Sequence, residues 1–174
     1  VENFRDKIPI QAVASALLER LGMDSKTLDV VALGSGDGKS ETRLTHELAK
    51  LLGGHALRMY LLEISHPLLV TGYKHAVGAL PPELPVFPIH GNFLDIARVL
   101  PLQQQPGRER RRLWTMFGNT MGNLAHEPSF LADVSASSRP GDLLLLDVQK
   151  TWASASDLTA IRSEDPIFRG SIHP

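Results

Sequence analysis

The chain has 174 residues, 43% of them hydrophobic and 21% charged, with a formal net charge of −1. That composition fits one globular domain with a core of its own and excludes a bulk attraction to nucleic acid or to acidic membranes. It contains no cysteine, which excludes disulfides, thiolate metal sites and thiol nucleophiles. No apolar run nears the length of about 20 residues needed to cross a bilayer. The N-terminal VENFRDKIPI has no apolar centre of the kind a secretion signal carries, so a cytoplasmic protein without a membrane partner is expected.

Apolar spacing over residues 10–21 predicts an amphipathic helix closed by Gly22. A first strand then runs into LGSGDGKS, where an apolar stretch breaks into glycines at positions 34, 36 and 38. A helix over 40–52, stopped by Gly53 and Gly54, leads to a second strand over 56–64 (ALRMYLLEI) that carries Glu63 near its end. A helix over 67–77 and the PPELP turn precede a third strand over 86–90 and the GNF turn. Residues 93–100 read as a helix. The polar run PLQQQPGRERRR reads as a solvated loop, because Arg108, Arg110, Arg111 and Arg112 lack the interleaved aromatics of a nucleic-acid surface. LWTMF, residues 113–117, reads as a fourth strand with Trp114 packed inside it, followed by the loop GNTMGN. A helix over 127–135, the RPGD turn and a fifth strand, LLLL over 143–146, complete the pattern. That last strand is bulky at every position and is expected to be buried on both faces.

Five strands separated by helices define the α/β class, with a mainly parallel sheet of about five strands, right-handed crossovers and ligands at the strand C-terminal ends. The glycine turn, Glu63, Asn92 with Phe93 and the GNTMGN loop all fall on that edge. The organisation expected is an N-terminal helical segment (1–27), a nucleoside-binding domain (28–150) and a tail (151–174) that leads into a region beyond it. The seven histidines are scattered without ligand spacing, so no metal is expected.

Spacing separates the chemistries that use such a turn. A triphosphate loop GxxxxGK[ST] would need glycine at 33, which is Leu33, although Gly38, Lys39 and Ser40 match its end. The dinucleotide pattern GxGxxG would need glycine at 39, which is Lys39. GxGxG with a downstream acid remains, the pattern of S-adenosylmethionine sites. A bare tight turn, a nucleotide-binding module without catalysis and a triphosphate-binding protein stay open as alternatives.

LGSGDGKSETRL, YLLEIS, HGNF, WTMFGNTMGNL and RPGDLLLLDVQK, in that order, resemble the histidine Nα-methyltransferases of ergothioneine biosynthesis and their relatives. The resemblance covers residues 28–150 and implies a Rossmann-like class I methyltransferase fold that binds S-adenosyl-L-methionine, releases S-adenosylhomocysteine, and methylates the nitrogen of an amino acid or related small amine. It assigns Gly34, Ser35, Gly36 and Gly38 to the methionine part of the cofactor, Glu63 to the ribose hydroxyls, and Asn92 and Phe93 to the adenine. Asn119, Thr120 and Asn123 fall in the substrate loop, with Asn123 on the amino-acid substrate. Asn92 stands where the family usually has Asp; the family also carries a Lys shortly before its Thr-Arg, whereas here Glu41 precedes Thr42 and Arg43 and the nearest lysine, Lys39, would need a one-residue shift. Neither a general base nor the aromatic residues of the family's acceptor pocket has a counterpart here, so the chain is expected to be the cofactor-binding portion of a longer enzyme. Asp147, after the fifth strand, is expected to anchor a loop.

Overall fold

The computed structural model describes residues 9–22, 27–96, 110–118 and 120–147. Helix α1 (Ile10–Leu21) precedes β1 (Leu28–Leu33), and α2 (Lys39–Leu52) leads to β2 (Leu57–Glu63). Helix α3 (His66–Ala79) connects to β3 (Val86–His90). Strand β4 (Arg111–Met116), α4 (Glu127–Ser137) and β5 (Leu143–Leu146) follow. All four strand pairings are parallel and the order is β3-β2-β1-β4-β5. Because the strands run parallel, their C-terminal ends lie at one edge, and the described turns after β1 to β4 gather there.

Alternation along the strands divides the core into two layers. Val30 and Ala32 of β1, Met59 and Leu61 of β2 and Leu113 of β4 pack with Leu18 of α1, Leu44 and Leu48 of α2 and Leu69 and Ala76 of α3. Val31, Leu33, Tyr60, Leu62, Trp114 and Met116 point the other way, against Phe130 and Val134 of α4 and Ile96. Buried on both faces, β1 reads as a continuous apolar run, as central parallel strands must. The edge strands do not. All four residues of β5 are only half-buried, which corrects the expectation that this strand is covered on both faces. Among the described residues it pairs with β4 alone.

The arginine run also departs from expectation. Strand β4 begins at Arg111, two residues before the predicted start, and both Arg110 and Arg112 are buried rather than solvated. The Arg110 Nε donates to Asp29 Oδ1 at 2.5 Å, and Nη2 donates to the carbonyls of Leu28 (3.0 Å) and Ala56 (2.8 Å). One guanidinium thereby ties the starts of β1 and β2 together. Burial pushes the Asp29 carboxyl above its ordinary value, against the pull of Arg110 beside it. Arg112 donates Nη1 to Ser137 O at 2.8 Å and lies over the Trp114 ring, 5.6 Å from its centroid. Burial lowers the pKa of this guanidinium, and Asp142 opposes the shift. Arg108 lies outside the described residues, as do Trp152 and the second half of the helix expected over 93–100, of which Phe93–Asp95 form a 3-10 turn. Among the described residues no helix is long and apolar enough to cross a membrane.

Candidate functional site

Gly34, Gly36 and Gly38 all have positive φ, at 66°, 54° and 67°, a conformation that L side chains rarely adopt. The turn is pinned from below, where the Gly34 and Ser35 N–H groups both donate to Leu62 O, at 2.9 and 3.2 Å, and Gly38 N–H donates to Ser35 O at 2.8 Å. Gly38 then serves as the N-cap of α2 without a side-chain cap, leaving that helix start to backbone amides. Ser35 is buried, and its Oγ has no hydrogen-bond partner among the described residues. Among the described residues nothing lies within 4 Å of the position a Cβ on Gly36 would take.

Glu63 ends β2 with its side chain buried. Its Oε2 accepts from Gly36 N–H at 2.8 Å and its Oε1 from Ser65 N–H at 2.8 Å. A carboxylate has about four acceptor positions, so two remain for ligand hydroxyls while the turn is held in place. The turn after β3 is shaped by Asn92, whose Oδ1 accepts from Leu94 N–H at 3.0 Å. This engages the carboxamide oxygen within the turn and leaves its Nδ2 as a donor.

Three of the expected segments meet over the first glycine. A methyl group at Gly34 would lie 3.1 Å from Phe93 Cε1 and 3.1 Å from Thr120 Cγ2. Phe93 is half-buried, packs into the second core layer and meets Phe130 edge-on with ring centroids 5.7 Å apart. Thr120 donates from Oγ1 to Phe117 O at 2.8 Å. Asn123 is exposed at the end of the 3-10 turn Thr120–Asn123, and Asn119 lies outside the described residues. Asp147 anchors a loop as expected: its Oδ2 accepts from Gly118 N–H at 3.2 Å, and its own N–H donates to Met116 O at 3.0 Å. Lys39, the residue shared with triphosphate loops, is exposed and paired with Asp37 at 3.0 Å. Among the described residues no group of three or more His, Asp or Glu side chains is placed to hold a metal ion.

Sequence reasoning missed Gly72. This residue lies in the middle of α3 and abuts the backbone of the glycine turn, where a Cβ on it would be 3.3 Å from Gly36 O, Asp37 C and Gly38 N. A lone glycine in a helical pattern signals only a weak point, and its partner lies more than thirty residues earlier in the chain.

A parallel sheet of this order, with a glycine turn after its first strand and a carboxylate closing its second, defines a Rossmann-like nucleoside-binding protein. Residues 10–157 match the family of histidine-specific, SAM-dependent methyltransferases, and the chain belongs to that family. A SAM-dependent methyltransferase from Thiobacillus denitrificans, solved with S-adenosyl-L-homocysteine, shares the fold with a TM-score of 0.51 at 17% identity. The likeness covers 90% of this chain, which spans 55% of the length of that relative. A second SAM-dependent methyltransferase, from Aquifex aeolicus, covers 87% of this chain and 77% of its own at 11% identity and a TM-score of 0.48. No protein of curated function matches the chain in sequence.

Proposed function

We propose that the protein takes part in methyl transfer from S-adenosyl-L-methionine to the nitrogen of an amino acid or related small amine. The observation that carries this reading is the Glu63 carboxylate, buried at the end of β2 and bonded to the Gly36 amide, which joins the glycine turn and the acid into one cradle. The residues suit the cofactor. The Gly36 face is open, Ser35 Oγ lacks a partner among the described residues, and the carboxylate keeps acceptor capacity for vicinal hydroxyls.

When bound, the cofactor supplies an electrophilic methyl group on a sulfonium. The chain's own part is to hold and orient it. Gly34, Ser35, Gly36 and Gly38 would receive the methionine moiety, and Glu63 would fix the ribose. Asn92 and Phe93 would flank the adenine, with the Asn92 Nδ2 offering a donor to a ring nitrogen. Asn123, exposed at the end of its 3-10 turn, would meet the amino-acid substrate, and Asn119 and Thr120 would shape its loop. Aligning two reactants in this way accounts for a large share of such a rate enhancement. Family membership supports the histidine-like acceptor class.

Calorimetric titration with S-adenosylhomocysteine, S-adenosylmethionine, NAD and Mg-ATP in parallel tests the cofactor reading. Binding of the two adenosyl-sulfur compounds alone is expected. Binding of Mg-ATP alone would overturn it in favour of a triphosphate site, and silence from all four would reduce the glycine segment to a bare turn.

A further inference from the structure

Helix α3 meets the glycine turn backbone to backbone. A Cβ on Gly38 would lie 3.1 Å from Gly72 Cα and 3.4 Å from Gly72 O, while a Cβ on Gly72 would lie 3.3 Å from atoms of Gly36, Asp37 and Gly38. Every atom in this contact is main chain, so no rotamer change can make room. Helix interiors disfavour glycine relative to alanine, which makes a buried glycine in α3 costly unless something requires it. The same helix contains a control, since Gly78 is exposed and has nothing among the described residues within 4 Å of its Cβ position.

We infer that Gly72 is a positioning residue for the cofactor turn, setting the depth at which residues 36–38 lie by letting α3 stand directly against them. The inference rests on the glycine turn being the cofactor site. A side chain at position 72 must displace the turn by a few tenths of an ångström. The Gly36 N–H is held to Glu63 Oε2 at 2.8 Å, and that bond loses strength as its geometry is pulled off. The helix therefore acts on the ligand through Gly36 and Glu63 without touching the ligand itself.

The test compares Gly72→Ala, Gly78→Ala and Glu63→Ala by calorimetry with S-adenosylhomocysteine, by thermal melting, and by amide hydrogen exchange at Gly36 without ligand. Gly78→Ala is expected to melt at or above the parent temperature with unchanged affinity. Gly72→Ala is expected to stay folded, to bind roughly tenfold more weakly, and to exchange its Gly36 amide faster by about the same factor. Parent-like affinity and Gly36 protection in Gly72→Ala, with Glu63→Ala weakened, would overturn the inference and leave the site reading standing. Faster Gly36 exchange with affinity unchanged in both Gly72→Ala and Glu63→Ala would keep the positioning role and overturn the site reading. A Gly72→Ala chain unable to fold would also overturn the inference, since the contact would then support the fold rather than the turn.

Discussion

Glu63 illustrates how one side chain serves two purposes. Its two oxygens each accept a backbone N–H, from Gly36 and from Ser65, so the position requires a group that only accepts hydrogen bonds. Glu63→Ala is expected to weaken S-adenosylhomocysteine binding by about 1.5–3 kcal/mol, the cost of losing charge-assisted bonds. Glu63→Gln should be nearly as harmful despite its similar shape, because whichever way the amide faces, its NH2 confronts a backbone N–H. Calorimetry decides this, and parent-like affinity in the Gln variant would show that the carboxylate does not serve both amides. Single residues of this kind were legible in the sequence because a steric or acceptor requirement leaves few residue types able to meet it, as at Gly34, Gly36 and Gly38. The packing of Phe93 and Thr120 on Gly34 was not, because three turns far apart in sequence meet there and no local pattern encodes the meeting.

Among the elements, the clearest lesson is the start of β4. A run of arginines looks like a solvated face, and the reading failed because the partner that permits burial, Asp29, lies 81 residues away. The strand gains two residues once Asp142 accepts from the Arg112 N–H at 2.8 Å and Ser137 O receives its guanidinium. Apolar patterning served better elsewhere: β2 and α2 fall within one residue of their predicted limits, and β3 falls on them. Arg110→Met leaves Asp29 buried without its partner and is expected to destabilise the fold by about 3–5 kcal/mol, whereas Asp29→Leu combined with Arg110→Met should recover much of that loss. Urea denaturation of the two variants measures it. Equal stabilities would mean that the uncompensated charge is not what the single variant suffers from.

For the whole molecule, the parallel order sends every ligand-facing turn to one edge and leaves the opposite edge to structural contacts. A ligand that binds only the folded chain raises its stability by about 2.7 kcal/mol at a hundredfold excess over Kd. For a chain of this size S-adenosylhomocysteine should then raise Tm by roughly 5–10 °C. Differential scanning calorimetry checks this, and a melting temperature indifferent to the ligand would count against a folded binding site. The ion pair of Arg110 with Asp29, at the far end of β1 from Gly34, has a further consequence for descent. Substitutions accumulating in the turns after β3 and β4 need not be compensated at the end where the strands are clamped. A lineage built on this sheet can thus explore new ligands by drift in its loops while keeping the clamp that sets its strand starts.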